Sequence, residues 1–158
     1  MTEAQKRFMR RAIALAVENV RAGRGGPFGA VVVQDGKVIA EGSNQVTASN
    51  DPTAHAEIVA IRRACEQLDR FDLTGCELYT SCEPCPMCLG AIYWARPARV
   101  FFAATREDAS AAGFDDSLIY DQIALPFEGR KIPMTSLLRA KALLAFEEWA
   151  RSPAKIRY

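Results

Sequence analysis

The stretch CELYTSCEPCPMCLGAIYWARPARVFFAA, residues 76–104, decides the fold class. Cys76 to Thr80 reads as a strand. Pro84 and Pro86 then frame a helix start, since proline is tolerated in a first turn, where its missing N–H costs nothing. Met87 to Ala95 is apolar nearly all round, which predicts a buried helix, and Arg96-Pro97 stops it. Val100 to Ala104 is a further strand. Strands that alternate with helices in this way predict an α/β sandwich with at least one parallel pairing.

The flanking sequence extends the same architecture. Asp51-Pro52 offers an acid as N-cap and a proline at the first helical position, so His55 is expected in a first turn. The buried stripe of that helix is Ala54, Ile58, Ile61, Cys65 and Leu68. Phe28 to Val33, turned by Asp35-Gly36 into Lys37 to Ala40, predicts a β-hairpin, and the polar stretch Ser43 to Asn50 a surface loop. At the amino end Thr2 and Gln5 form a capping-box pattern, and Phe8, Met9, Ile13, Ala16, Val17 and Val20 recur at helical spacing as far as Gly23. Thr105 to Ala112 is a short capped helix closed by Gly113, and a longer helix from about Ser136 to Ala150 carries Leu138, Leu144, Phe146 and Trp149. Residues 151–158 read as a tail, Phe28 and Trp94 as core aromatics, and residues 1–158 as one domain.

Composition narrows the function classes. Twenty basic against 19 acidic side chains leave a formal charge of +1, with no excess to track a phosphate backbone. That disfavours a DNA or RNA partner and favours a small substrate. No apolar run approaches a bilayer span, and Met1 to Arg10 is followed by no secretory h-region, so neither membrane nor export is expected and the compartment is cytoplasmic. Cys82, Cys85 and Cys88 crowd more closely than a disulfide framework would place them, which fits reduced, metal-binding thiols.

Two motifs carry the chemistry: His55-Ala56-Glu57 and Pro84-Cys85-Pro86-Met87-Cys88. Cys85 and Cys88 stand three apart at a helix start, on one face, where the positive end of the helix favours thiolates. His55 and Glu57 are two apart, but side chains lean toward a helix's N-terminus, so both can converge on a metal just beyond it. Three protein ligands, His55, Cys85 and Cys88, leave a zinc ion one open position for water, the arrangement of catalytic sites. The competing arrangement is a closed structural zinc module with Cys82 as fourth ligand, which would leave Glu57 without a task. Cys65 and Cys76 fit core positions.

His-x-Glu followed by Pro-Cys-x-x-Cys is the known signature of zinc-dependent nucleobase deaminases. With it in hand, the chain resembles the cytidine-deaminase-like superfamily, and within it the bacterial guanine deaminases. The blocks that carry the resemblance are GGPFGAVVV at 25–33, SNDPTAHAE at 49–57, YTSCEPCPMCLGAIYWARP at 79–97 and AGFDDS at 112–117. The first and third suit tRNA adenosine deaminases too; AGFDDS and a terminal tyrosine point to guanine.

The resemblance implies a three-layer α/β/α sandwich around a mixed five-stranded sheet, and a homodimer whose C-terminal segments are exchanged so that Tyr158 completes the partner's site. It implies one Zn2+ per subunit and a purine base as substrate, with Asn44 hydrogen-bonding the purine, Glu57 shuttling protons and Asp116, chosen over Asp115 by alignment alone, assisting ammonia departure. Guanine would be converted to xanthine by attack of water at C2, with Glu57 returning the proton to N3. Related activities on tRNA adenosine, cytidine, guanosine or an amino-triazine are the alternatives.

Overall fold

The computed structural model describes residues 1–158, which divide into two compact units, Met1–Asp116 and Ser117–Tyr158. In the first unit, helix α1 (Glu3–Arg21) opens with the expected capping box. The Thr2 hydroxyl accepts from the Gln5 N–H at 3.2 Å, while Gln5 Oε1 accepts from the Thr2 N–H at 2.8 Å. The hairpin is formed by β1 (Gly29–Gln34) and β2 (Lys37–Ser43). A short helix α2 (Val46–Ser49) occupies part of the expected loop. Then come α3 (Ala56–Leu68), β3 (Glu77–Cys82), α4 (Pro86–Ala95), β4 (Arg99–Ala104) and α5 (Arg106–Ala111).

The strand order is β2-β1-β3-β4. Strand β1 runs antiparallel to both neighbours, and β3 pairs in parallel with β4 through the α4 crossover. Helix α1 covers one face, packing Phe8 and Ala12 on Val31, Val33 and Tyr79. On the other face Ala56, Ala60 and Ala64 of α3 and Ile92 and Ala95 of α4 pack on Ala30, Val32 and Leu78. This is the expected α/β/α sandwich. Each fully buried valine or leucine contributes about 1.5–3 kcal/mol, so the core alternation of β1 and β3 holds the register.

Three expectations need correction. The sheet has four strands, not five, and β4 is an edge. Beyond α5 the sequence loses two-residue alternation, and Asp115, Asp116, Pro126 and Pro133 interrupt any further strand. Helix α4 is not buried all round, since Tyr93 and Trp94 are 76% and 65% exposed. The sandwich covers one side of this apolar helix and leaves Trp94 outside the core. On α1 the buried residues are Phe8, Ala12, Ala16 and Asn19. Ile13, Val17 and Val20 instead line an open apolar groove with Pro27, Ala103 and Ala104.

The second unit contains α6 (Ser117–Ile123), a 3-10 turn at Phe127–Gly129 and α7 (Arg139–Arg151), and it buries no residue. Helix α7 starts three residues later than its hydrophobic spacing predicts, because Leu138 holds a left-handed conformation with φ 55°. No helix of the chain is long and apolar enough to cross a membrane.

Candidate active site

Two helix starts build the site. His55 is the N-cap of α3 and Cys85 the N-cap of α4, both with extended backbone, φ −67°, ψ 158° and φ −64°, ψ 168°. Neither side chain caps its own helix. N-caps are ordinarily serine, threonine, aspartate or asparagine, worth about 1 kcal/mol, so these two positions forgo a stabilising bond. His55 thus precedes the helix instead of lying in its first turn. The Asp51 carboxylate accepts from the Thr53 N–H at 2.8 Å and the Thr53 hydroxyl at 2.7 Å, which makes a turn of Asp51-Pro52-Thr53 and delays the helix to Ala56. Gly42 of β2 sets how closely α3 approaches: a Cβ there would lie 2.3 Å from the Ala56 carbonyl and 2.6 Å from the Ala60 nitrogen.

His55 Nδ1 stands 3.5 Å from Cys85 Sγ and 3.5 Å from Cys88 Sγ, and the three donor atoms lie within 4.8 Å of one another. With Zn–N of about 2.0–2.1 Å and Zn–S of about 2.3 Å, a tetrahedral ion needs an N···S separation of about 3.5 Å. The triad therefore has the size of a zinc site and the donor types zinc prefers. Cys82, the candidate fourth ligand, lies outside the group; its thiol faces the Thr105 carbonyl at 3.5 Å, and burial pushes it up to about 11.

The electrostatics are those of a cation site. A hydrogen bond from the Cys88 thiol, then one from His55, holds Cys85 down at about 4 despite burial. Cys88 is driven up, first by that same bond to Cys85 and then by burial. His55 is raised, chiefly by its hydrogen bond to Cys85. The Cys85–Cys88 pair thus shares negative charge at the helix start, beside His55.

Glu57, in the first turn of α3, is 6% exposed. Burial raises its carboxyl above the ordinary glutamate range, with the Cys85 charge adding to the shift, while its own backbone N–H and His55 oppose it. The Thr80 hydroxyl of β3 donates to Glu57 Oε1 at 3.2 Å. Burial of this kind favours the protonated carboxyl and so suits a group that takes and gives back a proton.

Asn44, at the end of β2, is buried at 7% exposure rather than on a surface loop. Its Oδ1 accepts from the Gly26 and Val46 N–H groups, both at 3.3 Å, so the Nδ2 hydrogens are the donors left for a ligand. Asn19 donates from Nδ2 to the Asn44 carbonyl at 2.9 Å and to the Gly26 carbonyl at 3.0 Å, tying α1 to both segments. Gly25 fits beneath, where a Cβ would lie 2.5 Å from the Asn44 carbonyl.

Asp116 is half-buried and Asp115 exposed. Burial first and the Cys85 charge second raise the Asp116 carboxyl. Phe114 packs edge-on against Phe28 with centroids 4.9 Å apart, joining the AGFDDS block to the GGPFG turn. Tyr158 lies in the second unit, 71% exposed. Sequence reasoning missed Thr80 and Asn19. Their signal was present: each is a polar residue in a buried register, Thr80 in step with Leu78 on β3 and Asn19 in step with Ala12 and Ala16 on α1.

A sandwich with a His/Cys/Cys triad and a buried glutamate at two converging helix starts defines a zinc-dependent hydrolytic deaminase. The profile of the cytidine and deoxycytidylate deaminase zinc-binding region matches residues 2–104, and the chain belongs to this family. It is 58% identical to the guanine deaminase of Bacillus subtilis over 96% of this chain and 97% of that protein. An X-ray structure of guanine deaminase from Bacillus subtilis superposes with a TM-score of 0.95 at 56% identity, covering 100% of this chain and 99% of that one. Similarity to the tRNA-specific adenosine deaminase of Agrobacterium fabrum, 51% identical, spans only 49% of this chain and 51% of that protein.

Proposed function

We propose that this protein is a guanine deaminase that converts guanine and water to xanthine and ammonia. The observation that carries the chemistry is the placement of buried Glu57 beside the His55, Cys85 and Cys88 donors. What favours guanine over a tRNA adenosine is the reach and strength of the likeness: 58% identity over 96% of the chain for the guanine deaminase, against 51% over 49% and 39% over 73% for tRNA-specific adenosine deaminases.

His55, Cys85 and Cys88 would hold the zinc. When bound, zinc acidifies a water to a pKa of about 7, so that hydroxide is available near neutrality. Glu57 would take a proton from the attacking water and deliver it to N3 of the purine as the water oxygen bonds to C2. The remaining proton of the added water would pass from the C2 hydroxyl to the exocyclic amine with help from Glu57 or Asp116; the C2–N bond breaks, ammonia departs and the C2 carbonyl of xanthine forms. Asn44 donates from Nδ2 to an acceptor on the base and fixes its orientation.

The enzyme acts on a free base in the cytoplasm, as a homodimer. Support for the dimer comes from apolar side chains that the single chain leaves open. Phe146 and Leu137 of the second unit are 70% and 78% exposed, and Tyr93, Trp94 and Phe102 of the first are 76%, 65% and 49% exposed. Patches of this kind mark interaction surfaces. In the dimer the C-terminal segments are exchanged, and Tyr158 of one protomer completes the site of its partner.

The test is an ammonia-release assay on guanine, guanosine, cytidine, adenine and ammeline, with a Glu57→Gln control. Guanine should be turned over by the native protein. E57Q should retain its zinc and fold while losing at least about a thousandfold in kcat. A zinc-loaded E57Q enzyme of full activity would remove the assignment of Glu57. Turnover of cytidine alone would overturn the substrate and leave the zinc chemistry standing.

A further inference from the structure

We propose that Thr80 is a positioning residue: its hydroxyl fixes the carboxylate of Glu57 in the orientation that proton transfer requires. The proposal rests on Glu57 being the proton shuttle. Thr80 lies on β3 with its side chain on the α3 face, in register with Leu78, and is 1% exposed. That position suits an aliphatic residue. Valine has nearly the same shape and a high strand propensity, whereas a buried hydroxyl is costly unless it is hydrogen-bonded. The bond this hydroxyl makes is to Glu57 Oε1, at 3.2 Å.

A glutamate side chain turns about three bonds, and helix α3 fixes only its root. With Oε1 held as acceptor by Thr80, the carboxylate is anchored from the sheet side, opposite the contacts that Cys88 and the Glu57 backbone N–H make with the same group from the helix starts. The threonine is itself held, since β3 pairs Thr80 with Ala30 of β1 and Phe102 of β4. Its β-branched χ1 is stiff as well. The backing group is thus built on the rigid centre of the sheet, which is where a reacting carboxylate is best oriented from. The same hydroxyl can donate to the ionised glutamate and accept from the protonated one, so the contact survives the proton cycle.

The experiment compares Thr80→Val, Thr80→Ser, Glu57→Gln and the double variant T80V/E57Q. Zinc content, melting temperature and steady-state kinetics on guanine are measured for each. T80V should keep its zinc and lose about 10–100-fold in kcat with KM within about twofold, the usual scale for removing a group that orients a reacting side chain. T80S, which restores the hydroxyl without the methyl group, should recover to within about threefold of the native rate. On the E57Q background T80V should change the residual rate by less than about twofold, because two residues acting as one unit are not additive. A crystal structure of T80V should show the Glu57 carboxylate rotated from its native plane. Native kcat in T80V beside an inactive E57Q would overturn the proposal alone, whereas a fully active E57Q would overturn the reading beneath it. If T80V unfolds or loses zinc, T80S decides, and a loss in T80S as large as in T80V overturns the positioning role.

Discussion

Residues 1–116 and residues 117–158 place their apolar side chains in opposite ways. In the first unit Val31, Val32, Leu73 and Leu78 are fully buried in a sheet covered on both faces. In the second, Ile132, Leu137 and Phe146 are 79%, 78% and 70% exposed, and nothing is buried. The first unit also holds Asn44, His55, Glu57, Cys85, Cys88 and Asp116, and the second holds Tyr158. A segment as short as the second cannot assemble a core by itself. The difference teaches that the buried core and the His/Cys/Cys donor set belong to one unit, while the other carries its large apolar side chains exposed.

The strongest way to break that contrast is to ask whether the second unit serves a different copy's site. A chain truncated at Arg157 should lose about 10–100-fold in activity if Tyr158 completes a site. Co-refolded in equal amounts with the E57Q chain, it should recover to about a quarter of native activity. Random pairing makes half the dimers mixed, and exchange gives each mixed dimer one site with both Glu57 and Tyr158. If each tail served its own chain, no site in the mixture would hold both groups and activity would stay at the floor. Ammonia release before and after co-refolding reads the answer directly.

A second comparison sets one side chain from each unit against the other. Leu78→Ala, at a fully buried position, should cost about 2–5 kcal/mol of unfolding free energy and lower the melting temperature at every protein concentration. Phe146→Ala removes a ring that is 70% exposed in the chain and should leave the monomer's stability unchanged within about 0.5 kcal/mol. Its effect should emerge instead on dilution, as a rise of about tenfold in the dimer dissociation constant seen by sedimentation. An unchanged dissociation constant would detach Phe146 from the interface.

The two units also differ in how much of them could be read from sequence, for the same physical reason. The metal triad was legible because its ligands obey local spacing and few residue types do that chemistry. The hairpin and the parallel pair were legible because alternation and proline placement are local signals. The start of α3 was misplaced because Asp51-Pro52 is an equally good signal for an N-cap and for the turn that Thr53 closes. Thr80 and Asn19 went unassigned because a buried polar residue acquires meaning only from its partner across space, here Glu57 and Asn44. Within residues 117–158 the helical spacing of α7 was legible, but the exposure of Trp94, the missing fifth strand and what the rest of that segment packs on depend on which surfaces are covered, and no local pattern encodes that.

The weakest tie worth testing lies at the edge of the first unit. Arg11 of α1 meets Glu41 of β2 through two hydrogen bonds, Nε to Oε1 at 2.7 Å and Nη2 to Oε2 at 2.6 Å. The pair holds the Glu41 carboxyl below its ordinary value, first through the Arg11 hydrogen bond, against the opposing effect of burial. A depressed carboxyl stabilises the fold above the unfolded-state pKa and ceases to do so as pH falls through the folded-state value. With side-chain exposures of 39% and 34%, solvent screens much of the attraction. Glu41→Gln should therefore cost about 0.5 kcal/mol at neutral pH. The difference from native should hold down to about pH 5 and shrink in more acidic solution, and salt should diminish it. Urea unfolding of both proteins across that range measures it. A penalty that grew toward acid would mean that Glu41 acts as a buried neutral group instead of an ion-pair partner, and would move the edge of β2 from the solvated rim of the first unit into its core.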